Sequence, residues 1–149
     1  MRERRTLLRI RGSAEICDLE RDTMAKILIA DDESTVRRMI RQILEGAGHD
    51  VMEATNGAEA VRQVEKTQPD LLIVDVMMPQ INGKEVCRKI RSSPETETLP
   101  IILMTAPWTT SDDFLALENT GADRFLAKPF DDAALMKAVQ ELLNQPPEK

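Results

Sequence analysis

Residues 71–83 read LLIVDVMMPQING. Four apolar residues run without interruption into Asp75, and a loop holding Pro79 and ending at Gly83 follows. So short an unbroken apolar run suits a strand buried on both faces, as in a parallel sheet. Two other runs share this form. Ile27–Ala30 leads into Asp31-Asp32-Glu33, and Ile101–Met104 leads into Thr105. Segments 49–54 and 123–127 are weaker, less apolar strand candidates.

Helical periods fill the intervals. Val36, Met39, Ile40, Ile43 and Leu44 recur on one face of a helix that Gly46 and Gly48 stop. Leu135, Ala138, Val139, Leu142 and Leu143 repeat the pattern near the end. Asn56 with Glu59, and Asn82 with Glu85, have the spacing of an N-cap and an acid at N3. Segment 111–119, apolar at Phe114, Leu115 and Leu117, completes five helices. Five strands alternating with five helices predict a doubly wound, flavodoxin-like α/β domain. The greasiest strands belong in the centre, which suits the order 2-1-3-4-5 with strands 2 and 5 at the edges.

The chain has 149 residues and a net charge of -6. Hydrophobic residues make up 42%, the mix of a globular protein rather than a disordered one. The acidic balance argues against direct nucleic-acid binding, and 3% aromatics without Tyr argue against base stacking. No apolar run approaches the ~20 residues of a membrane span. Cys17 and Cys87 match no metal spacing, and so few cysteines fit a reducing cytoplasm.

Residues 1–23 carry six Arg and five acids, a local charge of +1, so the remainder holds -7. Arg9 and Arg11 interrupt the apolar stretch that a signal peptide would need. We expect 1–23 to be a loose extension or an over-long start, 24–144 the domain, and 145–149 a fraying tail.

Ligands of an open parallel sheet bind beyond the carboxyl ends of its strands. Those ends carry Asp31, Asp32, Glu33, Asp75, Thr105 and Lys128. Acids crowded on one rim repel each other, and a divalent cation relieves the repulsion. Oxygen donors without His or Cys suit Mg²⁺. A carboxylate beside Mg²⁺ and a fixed Lys charge is a plausible phosphoryl acceptor.

With these residues in place, the chain resembles the receiver domain of two-component response regulators, in the stand-alone form used by chemotaxis regulators. The matching pieces are ILIADDE (27–33), LLIVDVMMPQING (71–83), PIILMTA (100–106) and GADRFLAKPF (121–130). Separations of 43, 30 and 23 residues part Asp32, Asp75, Thr105 and Lys128, as in the family.

The resemblance implies that Asp75 takes a phosphoryl group from a sensor histidine kinase or phosphotransfer protein. It implies Mg²⁺ held by Asp32, Asp75 and the Met77 carbonyl, with Asp31 acting through a metal-bound water. Lys128 would contact the phosphoryl oxygens. Thr105 and Phe125 would form a switch that alters a protein-binding face of the 111–119 helix, strand 5 and the last helix. A cis bond before Pro129 would aim Lys128, and Pro79 and Gly83 would shape the loop after Asp75. The protein is then a phosphoacceptor switch rather than an enzyme. A phosphate-independent adaptor, or an Asp-nucleophile phosphatase, is the alternative; in the latter a second acid belongs where Met77 stands.

Taken singly, each residue also has an ordinary reading. Asp31, Asp32 and Glu33 suit the cap of helix 1, with Glu33 purely structural. Cys87 reads as a small packed residue, His49 as a surface residue and Phe125 as core as well as switch. Trp108 is equally a loop anchor or a partner contact. Arg124 stands where one transcription subfamily carries an acid, so we expect a monomer or weak dimer. Met77 and Pro107 give the water path no polar side chain, so we expect slow self-dephosphorylation.

Overall fold

The computed structural model describes residues 25–78, 81–105 and 120–144. Residues 1–24, the 111–119 helix, Pro79, Pro107, Trp108 and the tail 145–149 lie outside the described residues.

Five parallel strands form one sheet: β1 (Lys26–Ala30), β2 (Asp50–Ala54), β3 (Leu71–Asp75), β4 (Ile101–Thr105) and β5 (Arg124–Ala127). Their spatial order is β2-β1-β3-β4-β5, the order expected from how apolar each strand is. Every residue of β3 and β4 is buried, whereas edge strands β2 and β5 each keep residues open to water. Pairing Ile27 with Leu71 and Leu72 with Ile101 aligns the strands, so their carboxyl ends finish on one rim.

The described helices are α1 (Ser34–Gly46), α2 (Gly57–Thr67), α3 (Gly83–Arg91) and α4 (Asp132–Leu143). Strand side chains alternate faces, and this divides the core in two. Ile27, Ile29, Ile73, Ile102 and Met104 pack with Ile40 and Leu44 of α1 and with Leu135 and Val139 of α4. Leu28, Ala30, Leu72, Val74 and Leu103 pack with Ala60 and Val64 of α2 and with Val86, Cys87 and Ile90 of α3. Burial pushes the Cys87 thiol up to about 11, which leaves it an inert packing group.

The caps form at the expected residues. The Asn56 side chain accepts from the Glu59 amide at 2.8 Å, and Asn82 from the Glu85 amide at 2.9 Å. Asp131 caps α4 in the same way at 2.8 Å, a cap the sequence reading passed over. Glu33 occupies the cap position of α1, yet its side chain makes no cap bond. Instead Asp31 Oδ1 accepts from the Glu33 amide at 2.9 Å. The peptide bond between Lys128 and Pro129 is cis.

Two expectations need correction. His49 is buried, not at the surface, and precedes β2 rather than beginning it. The Ala25 amide opens the sheet without a strand partner, and His49 Nδ1 accepts from it at 3.0 Å. A buried amide needs such an acceptor. Met39, placed on the apolar stripe of α1, is 39% exposed, whereas Ile40 and Leu44 on that stripe are fully buried.

Candidate functional site

The rim gathers residues from four strand ends. Asp31 follows β1, Asp75 closes β3, Thr105 closes β4 and Lys128 follows β5. Donor oxygens of Asp31, Asp32 and Asp75 all lie within 4.8 Å of one another. Asp31 is fully buried, Asp75 and Thr105 are nearly so, and Asp32 is exposed. Lys128 Nζ lies 3.0 Å from Asp31 Oδ2 and 3.2 Å from Asp75 Oδ2.

Electrostatics follow from this packing. Burial, and then the charge of Asp31, push the Asp75 carboxyl up to about 6. Lys128 and the Met77 amide, which donates to Asp75, pull it back in part. Burial works against the Lys128 charge, but bonds to Asp31 and Asp75 hold its ammonium above the ordinary lysine range.

Every polar atom of Asp31 is engaged. Its amide donates to the Ala54 carbonyl at 3.2 Å, and its carboxylate takes the Glu33 amide and Lys128. Its carbonyl accepts from Arg37 Nη1 at 2.7 Å. The Asp32 carboxylate, by contrast, has no partner among the described residues and keeps its lone pairs free for a cation. Three convergent carboxylates with no nitrogen or sulfur donor among them fit a hard, oxygen-seeking ion such as Mg²⁺.

The loop after Asp75 is drawn tightly to the sheet. The Val76 amide donates to the Met104 carbonyl at 3.0 Å, and the Gly83 amide to the Val76 carbonyl at 2.9 Å. A Cβ on Gly83 would fall 2.3 Å from the Asp75 carbonyl oxygen, so only glycine lets α3 start this close to the acid. The Met77 side chain is 71% exposed beside the site. Phe125 pairs in register with Leu103 and packs half-buried against the α2–α3 side of the core. Sequence reasoning passed over Arg37, since an arginine on a helix face carries no mark of the carbonyl it reaches.

A parallel sheet whose carboxyl rim holds a cation-ready acid triad, two of its acids tied to one lysine, defines a class of phosphoacceptor signalling domains. Within that class the chain belongs to the response regulator receiver domain family, whose pattern matches residues 27–140. It is therefore a receiver domain of two-component signal transduction, a family that binds Mg²⁺ in its acidic pocket and interacts with histidine kinases.

The chain is 39% identical over 122 residues to the phosphate regulon transcriptional regulatory protein PhoB of Rhizobium meliloti, covering 82% of this chain and 53% of that protein. It thus spans about half the length of the curated relatives it matches. The signal receiver domain of a histidine kinase from Syntrophus aciditrophicus superposes with a TM-score of 0.76 at 38% identity, covering 80% of this chain and 89% of that one. The receiver domain of a sensor histidine kinase from Pseudomonas aeruginosa, solved with magnesium in its active-site cleft, gives 0.75 at 28% identity and covers 81% and 98%.

Proposed function

We propose that Asp75 accepts a phosphoryl group from a phosphohistidine of a partner kinase or phosphotransfer protein. The observation that carries this reading is the position of Asp75, nearly buried beside both Asp31 and Lys128 at the carboxyl rim. The Asp75 carboxylate attacks phosphorus, an O–P bond forms, and the N–P bond breaks with its electron pair returning to the imidazole. Mg²⁺, held by Asp32, Asp75 and the Met77 carbonyl with Asp31 reaching it through water, would neutralise the phosphoryl charge. Lys128 leaves its carboxylate partners to meet the phosphoryl oxygens. Thr105 turns toward the new group and Phe125 moves with it, altering a protein-binding face that includes β5 and α4.

In this reading the protein works in the cytoplasm as a monomer or weak dimer and signals to a protein partner. Arg124 on β5 supports the monomer, since it pairs with Glu141 of α4 in the same chain at 3.3 Å. An exposed Met77, with no acid to protonate a leaving group, supports a stoichiometric switch over a phosphatase, and slow loss of phosphate. A second reading, in which the domain governs a DNA-binding effector, is favoured by the transcription regulators among its relatives.

Incubation with Mg²⁺ and acetyl phosphate, followed by intact-mass analysis, tests the proposal. The wild type should gain one phosphoryl group, and Asp75→Ala none. No mass gain in the wild type with either acetyl phosphate or phosphoramidate would favour the phosphate-independent adaptor instead. Multiple turnover of a phosphate ester would favour the phosphatase.

A further inference from the structure

Arg37 lies on the second turn of α1, outside the acid cluster, with its side chain only 13% exposed. Its guanidinium is divided between two partners. Nε pairs with Glu53 Oε1 of β2 at 2.8 Å, and Nη1 donates to the main-chain carbonyl of Asp31 at 2.7 Å. Glu53 is shared with Arg41, so the carboxylate is held from two turns of one helix. Those two bonds draw the Glu53 carboxyl below its ordinary range.

The Asp31 carbonyl belongs to the peptide that joins Asp31 to Asp32. A peptide unit is planar, so a bond to its oxygen restrains the unit as a whole and with it the Cα at either end. Those two Cα atoms carry the buried acid beside Lys128 and the exposed acid with no partner of its own. We propose that Arg37, braced by Glu53, is a positioning residue that sets the Asp31–Asp32 peptide so both carboxylates face one cation. This inference rests on the proposed Mg²⁺-dependent reading of the site.

Its electrostatic sign makes it testable. Removing a cation near an acid cluster should, by charge alone, tighten Mg²⁺ binding. Loss of positioning should weaken it, as supporting contacts to metal ligands commonly do by about 10–100-fold.

The experiment titrates Mg²⁺ into the metal-free full chain by calorimetry for wild type, Arg37→Met, Arg37→Lys and Asp32→Asn, with thermal unfolding in chelator recorded for each. Arg37→Met should raise the Mg²⁺ Kd about tenfold. Arg37→Lys, which can reach one partner but not fork to both, should recover part of that loss. Arg37→Gln, like Arg37→Met, removes the charge but keeps a shorter polar side chain, and should weaken binding about threefold. It serves as the second variant should Arg37→Met fail to fold. A Kd unchanged or lowered in Arg37→Met, or in Arg37→Gln if only that variant folds, overturns the positioning role. If the wild type binds no Mg²⁺, the underlying site reading falls with it. If the wild type binds, Asp32→Asn loses binding and Arg37→Met matches the wild type, only the positioning role is lost.

Discussion

Lys128 reaches Asp31 across 97 residues of chain, and its ammonium rests 3.0 Å from a carboxylate that water cannot touch. A buried carboxylate needs such a counter-charge. Because Lys128 also approaches Asp75 at 3.2 Å, one cation balances two acids carried at the ends of the neighbouring strands β1 and β3. Removing it, as in Lys128→Met, leaves both carboxylates uncompensated. The metal-free variant should lose about 1–3 kcal/mol in urea unfolding, a figure reduced because the lysine is partly exposed. Mg²⁺ should then restore more stability to the variant than to the wild type. Phosphorylation by acetyl phosphate should fall.

Asp75 makes the metal-free protein pH-sensitive in a definite direction. Its carboxyl sits at about 6 when folded, above the ~3.9 of an unfolded aspartate. Between those values the folded state binds more protons, so stability falls as pH rises across that window. In chelator, Asp75→Asn should abolish this slope and stabilise the protein by about 1–3 kcal/mol at neutral pH. Mg²⁺ at a hundredfold its Kd should add about 2.7 kcal/mol to the wild type at neutral pH. That gain should shrink well below pH 6, where protons compete for Asp75. Urea unfolding at a series of pH values, with and without Mg²⁺, reads both effects.

His49 titrates in the opposite sense. Burial holds its imidazole below the ordinary histidine value, although Asp70 opposes the shift, and its Nδ1 must stay unprotonated to accept from Ala25. The unfolded chain therefore takes up a proton first. The stability that His49 contributes is complete above the unfolded value of about 6.5 and is lost as pH falls below it. His49→Asn places an acceptor oxygen near the Nδ1 position and should flatten this dependence. His49→Ala should cost about 1–3 kcal/mol at neutral pH, from the orphaned amide and the cavity. Chemical denaturation from pH 8 to pH 5 (about the range of the imidazole titration) separates the two variants.

Gly83 is where the fold and the site are hardest to separate. Any Cβ there collides with the Asp75 carbonyl and with the Val76 Cα, both backbone atoms that cannot swing aside. Gly83→Ala should displace the start of α3 from the end of β3. It should destabilise the protein by about 2–4 kcal/mol and weaken Mg²⁺ binding together. Gly46→Ala, with open space around its Cβ, is the control and should change neither by more than about 0.5 kcal/mol.

Much of this protein is legible along the chain because its signals are local. An apolar run four residues long marks a strand buried on both faces, and Asn at a helix start with Glu three residues on marks a cap. The relative greasiness of the five strands was enough to put β2 and β5 at the edges, and the acids at the strand ends pointed to the rim. Only the tertiary structure decided which polar groups meet. It buried Asp31 rather than Asp32 with Lys128, turned His49 inward to serve the Ala25 amide, and brought Arg37 to the Asp31 carbonyl. Periodicity reports which face of an element is apolar, whereas the partner of a buried charge is chosen by strand order and crossover, which bring together residues that no local pattern relates.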